Sequence, residues 1–236
     1  MGRVFEKRKH KMFARFAKMA KTFTRIGKEV SIAVKAGGPN PDGNPRLRMV
    51  MQNAKAVNMP KDRIDAAIKR ASSKEEKDFE EIVYEGYGPF GVAILIECAT
   101  DNPTRSVANI RLYFNRGNGA LGKTGSLDFI FERVGVFHLS QDGVDLEDLE
   151  LTLIDFGAEE VTKEEDGIYI YTSFAAFGGM QKALEEKKLS IISAELDRIP
   201  TSTTEVNETQ RKEIQDLLDK IEEDDDVQNV YHNMKD

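Results

Sequence analysis

The chain has 236 residues, of which 40% are hydrophobic, and its formal net charge is −7. This length is enough to bury a sizeable core and allows one to three domains. The chain has no run of about 18 apolar residues and only one cysteine, Cys98, so the sequence predicts no transmembrane helix and excludes an intrachain disulfide.

The net charge hides a strong asymmetry along the chain. Residues 1–70 contain 18 lysines and arginines against 5 acidic residues, a charge of +13. The remaining residues contain 16 basic and 36 acidic residues, a charge of −20. The charge of each segment therefore says more about binding partners than the charge of the whole chain.

The first third of the sequence is predicted to be helical. Apolar residues recur three and four positions apart from Phe13 to Val34, and Gly37-Gly38-Pro39 follows as a typical helix end. Asn44-Pro45 is typical of the N-cap and first position of a second helix, and Pro60 starts a third. The pattern predicts a small bundle followed by the charged linker SSKEEKDFEE at 72–81.

After residue 80 the periodicity becomes that of strands. EIVYEGY and VAILIECA are predicted to pair across the turn at Gly88-Pro89-Phe90-Gly91, and Asn102-Pro103 starts a helix. The alternating segment LDFIFE, 127–132, is predicted to be a strand. Near the C-terminus, Asn207 and Gln210 form a predicted capping box for a helix, and DVQNVYH follows as the last strand.

The segment between these elements has an order of its own. Residues 133–200 show the order β-α-β-β-α-β, with helices opened by Asp145 and Ser173, which is the ferredoxin-like order. Residues 81–132 show the order β-β-α-β and lack a second helix. The helix and strand after residue 200 supply the missing elements. We therefore predict an α+β fold with three domains: a basic helical domain at 1–78, a discontinuous α/β domain at 79–132 plus 201–236, and an inserted domain at 133–200. Both α/β domains are predicted to be ferredoxin-like.

One segment matches a nucleotide-binding motif. GNGALGKT, 117–124, satisfies the pattern GxxxxGK[ST], but a phosphate-binding loop requires a strand before it and a helix after it. Here a predicted helix precedes and a predicted strand follows, which favours a glycine turn. The three histidines, His10, His138 and His232, have no metal-ligand spacing, so we predict no enzyme activity, no metal and no cofactor. The acidic run 222–226 is predicted to be a solvated turn.

Cations dominate the surface positions of the predicted helices. Between residues 6 and 35, ten lysines and arginines occur with only Glu6 and Glu29 among them, whereas a solvated helix face normally mixes both signs. Like charges three or four positions apart destabilise a helix by about 0.2–0.5 kcal/mol per pair, and bound phosphates would relieve this repulsion. The predicted nucleic-acid-binding residues are Lys7, Arg8, Lys9, Lys11, Arg15, Lys18, Lys21, Arg25, Lys28, Lys35, Arg46, Arg48, Lys55, Lys69 and Arg70.

Several motifs resemble those of one family over almost the whole chain. They include KTFTRIGK at 21–28, NPRLR at 44–48, YEGYGPFG at 84–91, LGKTGS at 121–126 and DDDVQNVYHN at 224–233. Together they are similar to the YebC family, which includes the mitochondrial translational activator of cytochrome oxidase. The family usually opens with Gly-His-Ser-Lys-Trp, whereas this chain has Gly2-Arg-Val-Phe-Glu. The role of that opening in other members is therefore not transferred to this chain.

The resemblance implies three domains and a non-catalytic regulator of gene expression. Members are usually described as DNA-binding transcriptional regulators, which is the expectation here. The alternative is a ribosome-associated translation factor that relieves stalled elongation and contacts ribosomal or transfer RNA. Phosphates are common to both targets, so the sequence leaves this choice open. We expect a cytoplasmic monomer with no membrane association and no small-molecule substrate.

Overall fold

The computed structural model describes residues 19–73 and 78–235. In this part of the chain, three helices come first, and two four-stranded antiparallel sheets with four further helices follow. The helices are α1 (Met19–Gly37), α2 (Pro45–Ala56), α3 (Lys61–Ala71), α4 (Pro103–Arg116), α5 (Leu146–Ile154), α6 (Phe177–Glu186) and α7 (Glu208–Glu222). The strands are β1 (Glu80–Tyr87), β2 (Ala93–Thr100), β3 (Ala120–Leu121), β4 (Phe131–Leu139), β5 (Ala158–Glu164), β6 (Gly167–Ser173), β7 (Ile191–Pro200) and β8 (Val227–His232).

The predicted mixture of helices and strands is confirmed, and the fold is α+β. No helix within the described ranges combines the length and apolar character of a membrane span. The three domains and their boundaries at 1–78, 79–132 plus 201–236, and 133–200 stay a prediction.

Asn44 joins the first two helices. Its Oδ1 accepts a hydrogen bond from the Leu47 amide at 3.0 Å, which caps α2, and its Nδ2 donates to the Ala33 carbonyl at 2.7 Å. Pro45 occupies the first position of α2, and Gly38, at φ +85°, follows the end of α1, as predicted. Helices α1 to α3 then bury one shared apolar core, which contains Val30, Ala33, Leu47, Val50 and Ile64.

The first sheet has the strand order β3-β1-β2-β8. Its last strand comes from the end of the chain, and Tyr231 pairs with Leu95 of β2. Helices α4 and α7 cover one face, where Phe114 and Leu217 pack against Ile94. The capping box of α7 is confirmed, because the Asn207 and Gln210 side chains each bind the backbone amide of the other.

The second sheet has the strand order β5-β6-β4-β7, and its neighbouring strands are antiparallel. This is the order that the ferredoxin-like β-α-β-β-α-β motif gives. Helices α5 and α6 bury Leu153, Met180 and Leu184 against Phe137 and Ile170.

Two local predictions were wrong. The segment LDFIFE is not a separate strand, because residues 124–130 form turns and β4 begins at Phe131. Leu127 is fully buried while Phe129 is 73% exposed, so the alternation does not mark one face of a strand. The other error concerns Ser173, which caps the turn before α6 by accepting a hydrogen bond from the Ala176 amide at 3.3 Å, whereas the helix begins at Phe177.

A buried carboxylate explains the shape of the glycine loop at 117–125. Glu85 accepts hydrogen bonds from the Gly125 amide at 2.7 Å and the Leu127 amide at 2.6 Å, and its carbonyl accepts from the Gly122 amide at 2.7 Å. Amides of this loop therefore bind a carboxylate and a carbonyl of the protein itself. Helix α4 precedes the loop and only turns and β4 follow, so the strand-loop-helix context of a phosphate-binding loop is not met.

We expect Glu85→Ala to lower the free energy of unfolding by about 2–4 kcal/mol, because it leaves the buried Leu127 amide and the half-buried Gly125 amide without an acceptor. Urea unfolding followed by circular dichroism measures this change. Glu85→Gln, which keeps one acceptor oxygen, should lose less. Equal stability of Glu85→Ala and the wild type would show that the carboxylate does not hold the loop.

Candidate nucleic-acid interface

The structure separates the nine predicted basic residues that it describes into three groups. Lys7, Arg8, Lys9, Lys11, Arg15 and Lys18 lie outside the described residues. Lys21, Arg25 and Lys28 contact the first sheet and its helices, and Lys35, Arg46 and Arg48 form surface contacts. The third group is exposed and consists of Lys55, Lys69 and Arg70.

The third group has no ion pair among the described residues. Lys55 lies near the end of α2, and Lys69 and Arg70 lie in the last turn of α3. Two positions along a helix turn a side chain by about 200°, so Lys55 points away from the side on which Asn53 lies. These three cations are therefore accessible to a polyanion.

The surface contacts leave their cations partly accessible. The Lys35 ammonium lies 2.9 Å from Asp78, and Arg46 pairs with Glu81. Arg48 donates to the Pro41 carbonyl at 2.8 Å and the Asp42 carbonyl at 3.0 Å. Exposed pairs of this kind contribute at most about 1 kcal/mol, so a phosphate can replace such a partner at small cost.

The first half of α1 faces the end of α7. The Lys21 ammonium and the Arg25 guanidinium each donate to the Glu222 carbonyl at 3.3 Å. A helix C-terminus carries partial negative charge, which favours cations at this position. These two side chains therefore help to join the helices α1–α3 to the first sheet.

Lys28 is bound more completely. Its ammonium donates to the Ala99 carbonyl at 2.9 Å, the Asp225 carbonyl at 2.7 Å and Asp226 Oδ1 at 3.0 Å. These contacts use all three donors of the ammonium, and the side chain is only 12% exposed. Lys28 is thus a structural cation in this conformation, although its sequence context predicted a phosphate contact.

Asp226 is the centre of this contact. Its Oδ2 accepts hydrogen bonds from Arg105 at 2.7 Å, Ser106 at 2.8 Å and Thr100 at 3.1 Å, while Oδ1 accepts from Lys28. Burial alone would raise the pKa of the Asp226 carboxyl, but the hydrogen bonds from Arg105, Ser106 and Lys28 outweigh it and lower the pKa below its ordinary value. Asp226 is therefore a buried, ionised residue.

The prediction of a solvated turn at 222–226 was wrong for two of its residues. Besides the buried Asp226, Asp224 accepts hydrogen bonds from the Tyr113 hydroxyl at 2.9 Å and Asn109 Nδ2 at 3.0 Å. Burial and this hydrogen bond raise the pKa of Tyr113 to about 12. The number of charges in the run does not predict these hydrogen bonds, because the partners of Asp224 lie more than 100 residues away in the sequence.

Two further polar contacts fix the helices against the second sheet and the sheets against each other. Asn53 Nδ2 donates to the Ala194 carbonyl at 2.7 Å, and the Ala194 amide donates to Asn53 Oδ1 at 2.9 Å. The side-chain amide of α2 thus pairs with edge strand β7 as another strand would. Arg198 Nε of β7 donates to Glu97 Oε1 of β2 at 2.9 Å.

Comparison with known proteins places the chain. The family model of the TACO1/YebC protein N-terminal domain matches residues 3–74, and the family model of the TACO1/YebC second and third domain matches residues 79–234. The chain belongs to the TACO1/YebC family. The resemblance inferred from the sequence motifs is therefore confirmed.

Relatives in this family share most of their length with the chain. It is 59% identical to a protein of Cytophaga hutchinsonii, with 99% of this chain and 98% of that protein covered, and 57% identical to a protein of Flavobacterium johnsoniae, with 100% and 99% covered. Both are named "probable transcriptional regulatory protein". The crystal structure of a conserved hypothetical protein from Aquifex aeolicus is similar at a TM-score of 0.77 and 36% identity, covering 93% of this chain and 91% of that one.

We expect Asp226→Asn to lower the free energy of unfolding by roughly 3 kcal/mol at about pH 7, because it leaves the buried Lys28 ammonium without a charged partner and leaves Arg105 with Asp101 alone. The folded-state pKa of Asp226 is lowered, so its contribution is present above the unfolded pKa and is lost as pH falls through the folded value. Urea midpoints measured across pH for both proteins should therefore converge as the pH falls through the lowered pKa of Asp226.

The neighbouring exposed residue provides the matched control. Asp225 takes part in the contact with Lys28 through its backbone carbonyl, so Asp225→Asn should behave as the wild type does at every pH. An equal loss in both variants would mean that the effect comes from the charge of the acidic run and not from the contacts of Asp226.

Proposed function

We propose that this protein is a non-catalytic, nucleic-acid-binding regulator of gene expression whose helical N-terminal part contacts phosphates. The observation that carries the proposal is the exposure of Lys55, Lys69 and Arg70 without ion pairs among the described residues, in a segment with a charge of +13. A cationic surface of this kind binds a polyanion because binding releases condensed counterions. The names of the relatives support a role in regulation.

The basic residues contribute to this contact in different ways. Lys55, Lys69 and Arg70 contact phosphate directly, and Lys35, Arg46 and Arg48 do so after exchanging a surface partner. The six cations between residues 7 and 18 lie outside the described residues and are included on the basis of the sequence alone. Lys21, Arg25 and Lys28 complete the predicted set, but Lys28 is bound to Asp226, and the proposal does not depend on it.

The target that we favour is duplex DNA, in line with the names of the relatives. The other candidate is RNA on the ribosome, since the family also includes the mitochondrial translational activator that the sequence resembles. A transcriptional regulator would prefer one promoter over random DNA by about a thousandfold or more. A ribosome-associated factor would sediment with ribosomes and show no such preference.

The triple variant Lys55→Gln/Lys69→Gln/Arg70→Gln should bind duplex DNA more weakly and with a smaller salt dependence. Each lost phosphate contact lowers the slope of log K against log salt by roughly 0.9, so the slope should fall by about 2.7. Fluorescence anisotropy at several salt concentrations measures both quantities.

A control with the same change of charge separates a local contact from a general one. Lys163, Lys187 and Lys212 are exposed residues outside the helical segment, and their triple glutamine variant should keep the slope of the wild type. If both triple variants lose the same amount, the contact is not confined to the helices. Sedimentation of the wild type through sucrose with and without nuclease then distinguishes DNA from the ribosome.

A further inference from the structure

Helix α5 and the turn after it expose large apolar side chains. Leu151 is 70% exposed and Ile154 is 56% exposed, although Leu149 and Leu153 of the same helix are buried in the core of the second sheet. The helix therefore has apolar residues on both its inner and its outer side. A solvated helix normally carries polar residues on its outer side, so the outer leucine and isoleucine indicate a contact surface.

Two exposed phenylalanines extend this apolar surface. Phe156 is 40% exposed and Phe174 is 46% exposed. Ala158 of β5 pairs with Thr172 of β6, so both phenylalanines lie just beyond the same end of this strand pair. The turn before β5 and the turn after β6 contact each other there, because a Cβ placed on Gly157 would lie 2.7 Å from the Ala176 Cβ.

The segment that contains α5 and the turns beside it is acidic. Between residues 140 and 162 the sequence contains eight aspartates and glutamates and no lysine, arginine or histidine. The Arg133 guanidinium lies 3.9 Å from the centre of the Phe174 ring and is the cation closest to the patch among the contacts described. The acidic residues are Asp142, Asp145, Glu147, Asp148, Glu150, Asp155, Glu159 and Glu160.

The negative charge of this segment determines which kind of partner can bind such a surface. Nucleic acid and anionic lipid would be repelled. An isologous pair of two copies would place the same acidic segments opposite each other. A helix with apolar residues along one side and lysine or arginine along its edges would instead bury its apolar side and form ion pairs around it.

We propose that Leu151, Ile154, Phe156 and Phe174 form a docking site for a cationic amphipathic helix of a protein partner. The site lies on the second sheet and its helices and is independent of the nucleic-acid surface on α2 and α3. A regulator built in this way would hold a polyanion on its basic helices and a basic protein on its acidic part.

The probe for this site is a labelled synthetic peptide of about 18 residues, long enough to form a helix, with leucines on one face and lysines elsewhere. Fluorescence anisotropy with the full-length protein should show binding. Leu151→Ser/Ile154→Ser should weaken it by about tenfold or more, as loss of central apolar anchors does. Both residues are exposed, so the melting temperature should stay that of the wild type.

Matched controls test apolar shape and charge separately. A peptide of the same composition with scrambled leucines should bind at least about tenfold more weakly. Glu147→Gln/Glu150→Gln should weaken binding of the first peptide, whereas Glu213→Gln/Asp216→Gln, with the same change of charge on α7, should leave it unchanged.

Three results would overturn the proposal. The first is equal binding of both peptides, and the second is full affinity in Leu151→Ser/Ile154→Ser. The third is an occupant of another kind. It would show as wild-type self-association in sedimentation that this variant abolishes, or as a gain in peptide affinity when residues 2–18 are deleted, which would assign the site to the chain's own basic segment.

Discussion

The contact between Lys28 and Asp226 is the constraint on which the arrangement of this molecule depends. It joins a helix near the start of the chain to the turn before the last strand, and it takes a cation and a carboxylate out of water together. Such a pair is favourable only when the remaining donors and acceptors are also satisfied. Here Ala99 and Asp225 complete the bonding of the ammonium, and Arg105, Ser106 and Thr100 complete that of the carboxylate.

This arrangement explains how one chain can be strongly basic at one end and strongly acidic elsewhere. The acidic run 222–226 binds the cations on the inner side of α1, and Asn53 holds α2 against the second sheet. Both contacts use the inner surface of the helices. The exposed cations near the ends of α2 and α3 remain, and they support the proposed contact with phosphate.

Local chemistry made much of the fold predictable. Asn44 and Asn207 were predicted as caps and Asn102-Pro103 as a helix start, and all three asparagine side chains accept a hydrogen bond from an amide of the helix that follows. The roles of Asp226, Asn53 and Glu85 were not predictable, because their partners lie 40 to 198 residues away. The strand predicted at LDFIFE was wrong for the same reason, since Glu85 holds that segment as turns. Of the candidate site, the sequence predicted the charge but not which cations the protein itself binds.

Chemical labelling of lysines, read by mass spectrometry with and without bound nucleic acid, tests the central claim most directly. It separates the cations that hold the fold together from those that contact the ligand. The account predicts that Lys55 and Lys69 react in the unbound protein and are protected by DNA or RNA, while Lys28 stays unreactive in both states. Reaction of Lys28 on binding, or unchanged reaction of Lys55 and Lys69, would contradict it.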